Sequence, residues 1–161
     1  MAKAARAPDG VTIIINDRAD IARLADAAGV HVGQDDLAPS AIRRLIGPDR
    51  IIGVSTHSLA QLDRAVEQAI DYVAVGPVFG TASKNTGYDA VGLTLVEEAA
   101  RRARPRGLPV VAIGGITLEQ AADVIRAGAT SVAVISDLLA TGDPAARVSQ
   151  YLDRLAQVSG V

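Results

Sequence analysis

The sequence predicts an α/β fold of parallel strands joined by crossover helices, on three observations. Short β-branched apolar runs alternate with longer stretches whose apolar residues recur at helical spacing. Each run is nearly continuous, as expected of strands covered on both faces. Polar residues follow each run directly, where parallel β/α folds carry their active sites. Repeating units of roughly 20 residues fit either a barrel or an open doubly wound sheet, and periodicity alone does not choose between them.

The six runs are Val11–Ile15, Val30–Gly33, Ile51–Ser55, Tyr72–Val75, Val110–Ile113 and Val132–Ile135. After the first, Ile21, Leu24, Ala25 and Ala28 form an apolar helical stripe, with Gly29 placed to end it at positive φ. Ser58 with Gln61, Thr94 with Glu97, and Thr117 with Gln120 have capping-box spacing, and Asp143-Pro144 reads as an N-cap and first helical position. These locate four helix starts. Between Gly76 and Leu93 no periodic pattern holds, and a loop of that length in a compact domain is usually a lid or binding loop.

Composition bounds the function. The 161 residues, 49% of them apolar and carrying a net charge of −2, suit one domain over residues 1–161. With no Cys there is neither a disulfide framework nor a thiolate metal site, which points to the cytoplasm. The longest apolar runs fall far below the roughly 20 residues that span a bilayer. One Phe, three Tyr and no Trp on a slightly acidic chain argue against nucleic-acid binding.

The polar residues after the runs are, in order, Asn16-Asp17, Gln34-Asp35-Asp36, Ser55-Thr56-His57, Gly76-Pro77 leading to Thr81-Ala82-Ser83-Lys84, Gly114-Gly115, and Ser136. Asp17 and Asp36 follow neighbouring runs, so their hard carboxylate oxygens can converge on Mg²⁺ while water and phosphate complete the octahedron. Taken singly, Asp17 reads rather as a cap of the next helix and Asp36 as a turn residue, and it is their shared rim that favours the metal. Gly114-Gly115 and Ser136 occupy the last two strand ends, where barrels bind phosphate through backbone N–H groups. Lys84 in the loop is a mobile cation for phosphate or a solvated side chain, and His57 an acid or base or a local hydrogen-bonding group.

The succession Ile14-Ile15-Asn16-Asp17-Arg18, His31-Val32-Gly33-Gln34-Asp35-Asp36, Gly53-Val54-Ser55-Thr56-His57, Val75-Gly76-Pro77-Val78-Phe79 with Thr81-Ala82-Ser83-Lys84, Ile113-Gly114-Gly115-Ile116 and Val134-Ile135-Ser136 closely resembles the thiamine phosphate synthase family over residues 11 to 155. The resemblance implies a TIM-type (β/α)₈ barrel. It also implies transfer of an aminopyrimidine methyl group from hydroxymethylpyrimidine diphosphate to thiazole phosphate, giving thiamine phosphate and diphosphate. Asp17 and Asp36 match the family's Mg²⁺ ligands. Asn16, Ser55 and Lys84 match its diphosphate contacts, with Lys84 and Ser55 closest to the chemistry. Thr81, Ser83, Gly115, Ile135 and Ser136 match the thiazole phosphate site.

Against the family, the chain resembles six βα units of eight. Its start falls just before the family's third strand, with Met1–Asp9 as a residual helix end. The family's Gln-x-Arg-x-Lys motif does not occur in this sequence. Gly80, Ala82 and Ser83 stand where many members have Pro, another residue and Thr. A six-stranded barrel segment would leave its first and last strands with unpaired edges, which invite association between copies. Two alternatives remain at this point. One is a thiazole tautomerase, the related enzyme in which a histidine at the position of His57 matters. The other is a non-catalytic fragment that keeps affinity for phosphate.

Overall fold

The structure is a computed structural model that describes residues 11–80 and 87–159. In chain order the elements are β1 (Ile14–Asn16), α1 (Ala19–Leu24), β2 (Gly29–Val32), α2 (Pro39–Ile46), β3 (Ile51–Thr56), α3 (Leu59–Val66), β4 (Tyr72–Val75), α4 (Gly92–Ala103), β5 (Val110–Ile113), α5 (Leu118–Arg126), β6 (Ser131–Ala133), α6 (Ser136–Leu139) and α7 (Pro144–Ser159). A short 3-10 turn, Arg104–Arg106, follows α4.

The strands form one parallel sheet in the order β1-β2-β3-β4-β5-β6. A doubly wound sheet reverses its strand order at a switch point. This one never does, so the winding is that of a barrel wall. All six expected strands are present, with shifted ends. Of Val11–Ile15 only the end joins the ladder, where Ile14–Asn16 pairs with Gly29–His31. The last strand pairs Ser131–Ala133 with Val111–Ile113, and Ile135 has already left the ladder with φ −124° and ψ −72°.

The two faces of the sheet differ, contrary to the expectation that both are buried. Val30, Val32, Ile52, Val54, Val73, Val75, Val110 and Ala112 are buried in one cluster with Ile42, Leu62, Val96, Ala99 and Val124 from the helices. The opposite face carries His31, Ser55, Tyr72, Val111 and Ile113, all only half-buried. Strand alternation sends successive side chains to opposite faces. The inner face therefore presents His31, Ser55 and Tyr72 toward the barrel axis beside the apolar Ala74, Val111 and Ile113.

The stripe expected on the first helix is also corrected. Ile21 is 41% and Leu24 79% exposed, while Ala19 and Ala22 are the residues that pack inward. Gly29 does not end that helix, because it is the first residue of β2. The chain turns instead at Asp26, with φ 53°. A Cβ on Gly29 would lie 2.2 Å from the Ile51 carbonyl oxygen, so only glycine admits the neighbouring strand there.

Three of the four expected helix starts stand. Ser58 Oγ accepts from the Gln61 N–H, Thr117 N–H donates to Gln120 Oε1, and Asp143 Oδ1 accepts from the Ala146 N–H. Thr94 is not a cap, because α4 begins at Gly92. There the Val91 and Gly92 N–H groups donate to Pro77 and Val78 carbonyls, and the preceding loop sets the helix start. No helix among the described residues is long and apolar enough to cross a membrane.

Candidate functional site

Of the expected residues, Asn16, Asp17, Asp36, Ser55, Gly115, Ile135 and Ser136 lie at or just after the carboxyl ends of the strands. Asn16 ends β1 and Asp17 follows it, both exposed. The Asp17 N–H donates to the His31 carbonyl at 2.7 Å, and Asp17 adopts φ 62°. Left-handed backbone is uncommon outside glycine, and aspartate tolerates it better than most residues. After β2, Asp36 Oδ2 accepts the Gly33 N–H at 2.7 Å and closes the turn. This is the turn role read for Asp36 in isolation, and its carboxylate stays exposed, whereas the N-cap position of α1 falls to Arg18 and not to Asp17. The two acidic residues therefore follow strands that pair directly, Asn16 opposite His31. Two hard oxygen donors on adjacent strand ends fit a cation that keeps several waters or phosphate oxygens. Among the described residues there is no cluster of three or more His, Cys, Asp or Glu that would form a closed protein cage.

Ser55 sits near the end of β3 on the inner face. His31 Nε2 lies 2.8 Å from Ser55 Oγ, and His31 Nδ1 lies 2.9 Å from the Tyr72 hydroxyl. The histidine and tyrosine rings stack at 5.6 Å with 18° between planes. The Gln34 amide donates to the Ser55 carbonyl at 2.6 Å. Burial pushes the Tyr72 hydroxyl's pKa up, so it remains a neutral O–H at ordinary pH. Thr56, next in the chain, points to the helix side and donates to the Ala74 carbonyl at 2.9 Å, a structural role.

His57 stacks on Tyr88 with centroids 3.8 Å apart, hydrogen-bonds through Nδ1 to the Gly76 carbonyl, and donates its backbone N–H to Gln61 Oε1 at 2.7 Å. Its ring is thus held between the third and fourth strand ends. Gly114 and Gly115 have φ 97° and 65°. A Cβ on Gly114 would lie 2.5 Å from Pro77 Cβ, and one on Gly115 2.5 Å from the Gly80 carbonyl oxygen. The Val78 and Phe79 N–H groups donate to the Ile113 and Gly114 carbonyls. The glycine pair therefore lets the segment after β4 cross the end of β5.

Ile135 and Ser136 are exposed where β6 meets α6. Asp137, one residue on, receives Arg147 Nε and Nη2 at 3.0 and 3.1 Å and the Tyr151 hydroxyl at 2.7 Å. The Arg147 guanidinium beside Asp137 holds its carboxyl below the usual carboxylate range, and the Tyr151 bond adds to this. Thr81, Ser83 and Lys84 lie outside the described residues. A cavity of about 550 Å³ opens between Asp26–Ala28 and Gly47–Arg50, at the amino ends of the strands and away from this rim. The 2.6 Å ion pair of Arg50 with Asp26 lies beside it.

Sequence reasoning did not single out His31, Tyr72, Asp137 or Arg147. A signal existed for the first two. Gly53 lies inside a strand, where an isolated glycine marks a close approach, and its register partners are His31 and Tyr72.

Six βα units wound in sequential order, with polar residues collected at the carboxyl rim, define a parallel β/α protein of the TIM-barrel kind. The chain belongs to the thiamine monophosphate synthase family, whose family model matches residues 1–138. It is 48% identical over 148 residues to the thiamine-phosphate synthase of Roseiflexus castenholzii, a match covering 92% of this chain and 64% of that protein. It is 51% identical over 137 residues to the namesake from Roseiflexus sp. strain RS-1, covering 85% of this chain and 57% of the relative. The chain thus spans roughly three fifths of the length of these relatives. The solved thiamine phosphate pyrophosphorylase from Pyrococcus furiosus superposes with a TM-score of 0.82 at 30% identity, over 91% of this chain and 68% of that one.

Proposed function

We propose that this chain acts as a Mg²⁺-dependent thiamine phosphate synthase, moving the aminopyrimidine methyl group from hydroxymethylpyrimidine diphosphate to thiazole phosphate. The observation that supports the reading is that Asp17, Asp36 and Ser55 lie at or just after the carboxyl ends of three consecutively paired strands in a member of this family. Asp17 and Asp36 would hold the metal, and bound there it would neutralise charge on the departing diphosphate. Asn16 and Ser55 donate hydrogen bonds to diphosphate oxygens, and Lys84 adds a cation to the same group. Thr81, Ser83, Gly115, Ile135 and Ser136 hold the thiazole phosphate, orienting the ring nitrogen toward the pyrimidine methylene. No side-chain nucleophile takes part, so these residues act by positioning and by countering charge. Phosphorylated substrates of this kind do not cross membranes unaided, which supports a cytoplasmic setting.

The six units are, on this proposal, six of the eight of a closed barrel. Apolar exposure at both ends of the sheet supports this. Leu24 on α1 is 79% exposed, and Leu139 on α6 and Leu152 on α7 are 64% and 65% exposed. Two further βα units between β6 and β1 would cover those faces and pair both edge strands.

The test is diphosphate release by the purified 161-residue chain given both substrates and Mg²⁺. Asp17→Asn and Asp36→Asn are each expected to lower kcat at least about tenfold, since even outer partners of metal ligands are worth that much, and a chelator should abolish turnover. Turnover of thiazole phosphate alone without Mg²⁺ would instead support the tautomerase reading. His57, clamped between Tyr88 and the Gly76 carbonyl, is the residue to probe in that case. Binding of thiazole phosphate with no diphosphate release would mark a non-catalytic phosphate-binding segment.

A further inference from the structure

We infer that His31 is a positioning residue, part of a directed hydrogen-bond chain from Tyr72 through its ring to Ser55 that turns the Ser55 hydroxyl hydrogen toward an anionic phosphate oxygen. The inference deepens the proposed reading and rests on Ser55 as a diphosphate contact. Its geometry is set by register. His31, Gly53 and Tyr72 occupy one row across β2, β3 and β4. In a parallel sheet such partners project from the same face, and the middle one has no side chain. A Cβ on Gly53 would lie 2.0 Å from the Tyr72 ring, so the tyrosine lies across that gap and reaches His31 Nδ1 at 2.9 Å. The other ring nitrogen reaches Ser55, two positions beyond Gly53 on the same face, at 2.8 Å.

A neutral imidazole has one N–H and one acceptor nitrogen, so the chain can run in only two directions. A phenol donates better than it accepts, because its oxygen lone pair is shared with the ring. Tyr72 O–H therefore donates to Nδ1, and Nε2–H donates to Ser55 Oγ. With a lone pair of Oγ so occupied, the serine's own hydrogen is free to donate to a third group. The reverse direction would spend the Ser55 hydrogen on His31 and present a lone pair toward the rim, which repels an anion. Gln34, donating to the Ser55 carbonyl at 2.6 Å, fixes the backbone from which Oγ projects. The rim beside it carries the two acidic residues that hold the cation in the proposed reading, so a phosphate oxygen is the group for which a hydroxyl donor there is suited.

The experiment uses the 161-residue chain and inorganic diphosphate with Mg²⁺, titrated by calorimetry. His31→Phe and Ser55→Ala are each expected to weaken binding about tenfold, as for a hydrogen bond to a charged group, and the double variant should bind no worse than Ser55→Ala alone. Long-range ¹⁵N–¹H spectra should show wild-type His31 as the Nε2–H tautomer, with that preference lost in Tyr72→Phe while the circular dichroism stays unchanged. Losses that multiply in the double variant, an Nδ1–H tautomer in the wild type, or no diphosphate binding by the wild type would each overturn the inference. Turnover of both substrates together with multiplying losses would leave the transferase reading standing. Coupled losses in a chain that releases no diphosphate would do the reverse.

Discussion

Gly53 shows how one missing side chain shapes the inner face. With Tyr72 Cζ 2.0 Å from where its Cβ would stand, Gly53→Ala must either expel the tyrosine from its place beside His31 or separate β3 from β4. Overpacking of this kind costs about 1–3 kcal/mol. The variant is expected to show a lower urea midpoint at unchanged slope, and weaker diphosphate binding than the wild type. An unchanged midpoint with Tyr72 still bonded to His31 would contradict this account. Asp17 and Asp36 illustrate a second point at this scale. Each has a local backbone role, in a left-handed turn and a Gly33 N–H bond, and those same roles hold the carboxylates on the rim. Asn at position 36 can still accept the Gly33 N–H, so Asp36→Asn is the cleaner probe of metal binding.

At the scale of elements, α6 and α7 are joined by Asp137, Arg147 and Tyr151. The Asp137 and Arg147 side chains are only 14% and 13% exposed, and the buried Tyr151 hydroxyl completes the group. The Asp137 carboxyl titrates below its unfolded value. Its contribution to stability is therefore fully present above the unfolded carboxylate pKa of about 4 and is lost as pH falls through the lower folded value. Urea midpoints measured from pH 6 down to pH 3 should fall more steeply for the wild type than for Asp137→Asn, which has no charge to lose. Because Ser136 opens α6 beside Asp137, the same variant is expected to weaken thiazole phosphate binding at neutral pH. Gly29 belongs to this scale as well, since β2 and β3 approach too closely there for any Cβ.

Across the whole molecule, the sheet is a curved wall with apolar side chains exposed at both ends. Burying such surface stabilises by roughly 25 cal/mol per Å², and contiguous exposed apolar patches mark contact surfaces. Copies of this chain are expected to associate through those ends in a concentration-dependent way, measured by sedimentation velocity. Leu24→Glu with Leu152→Glu should shift the population toward monomer. Association unaltered by that pair would place the contact elsewhere.

The strand and helix rhythm, the parallel sheet and the order of the rim residues were legible in the sequence, because hydrophobic periodicity and strand-end polarity are local properties. Asp17, Asp36, Ser55, Gly115 and Ser136 were named from their places after apolar runs, and the fold puts them at one end of the sheet. The helix face was misread at Ile21 and Leu24, because apolar spacing alone does not say which face finds a partner. Gly29 was misread because a glycine before a strand looks like a helix stop when the strand beside it is unseen. His31 and Tyr72 are 41 positions apart. Their meeting across Gly53, and hence the direction in which Ser55 is held, depends on the register of three strands, and only tertiary structure decides that.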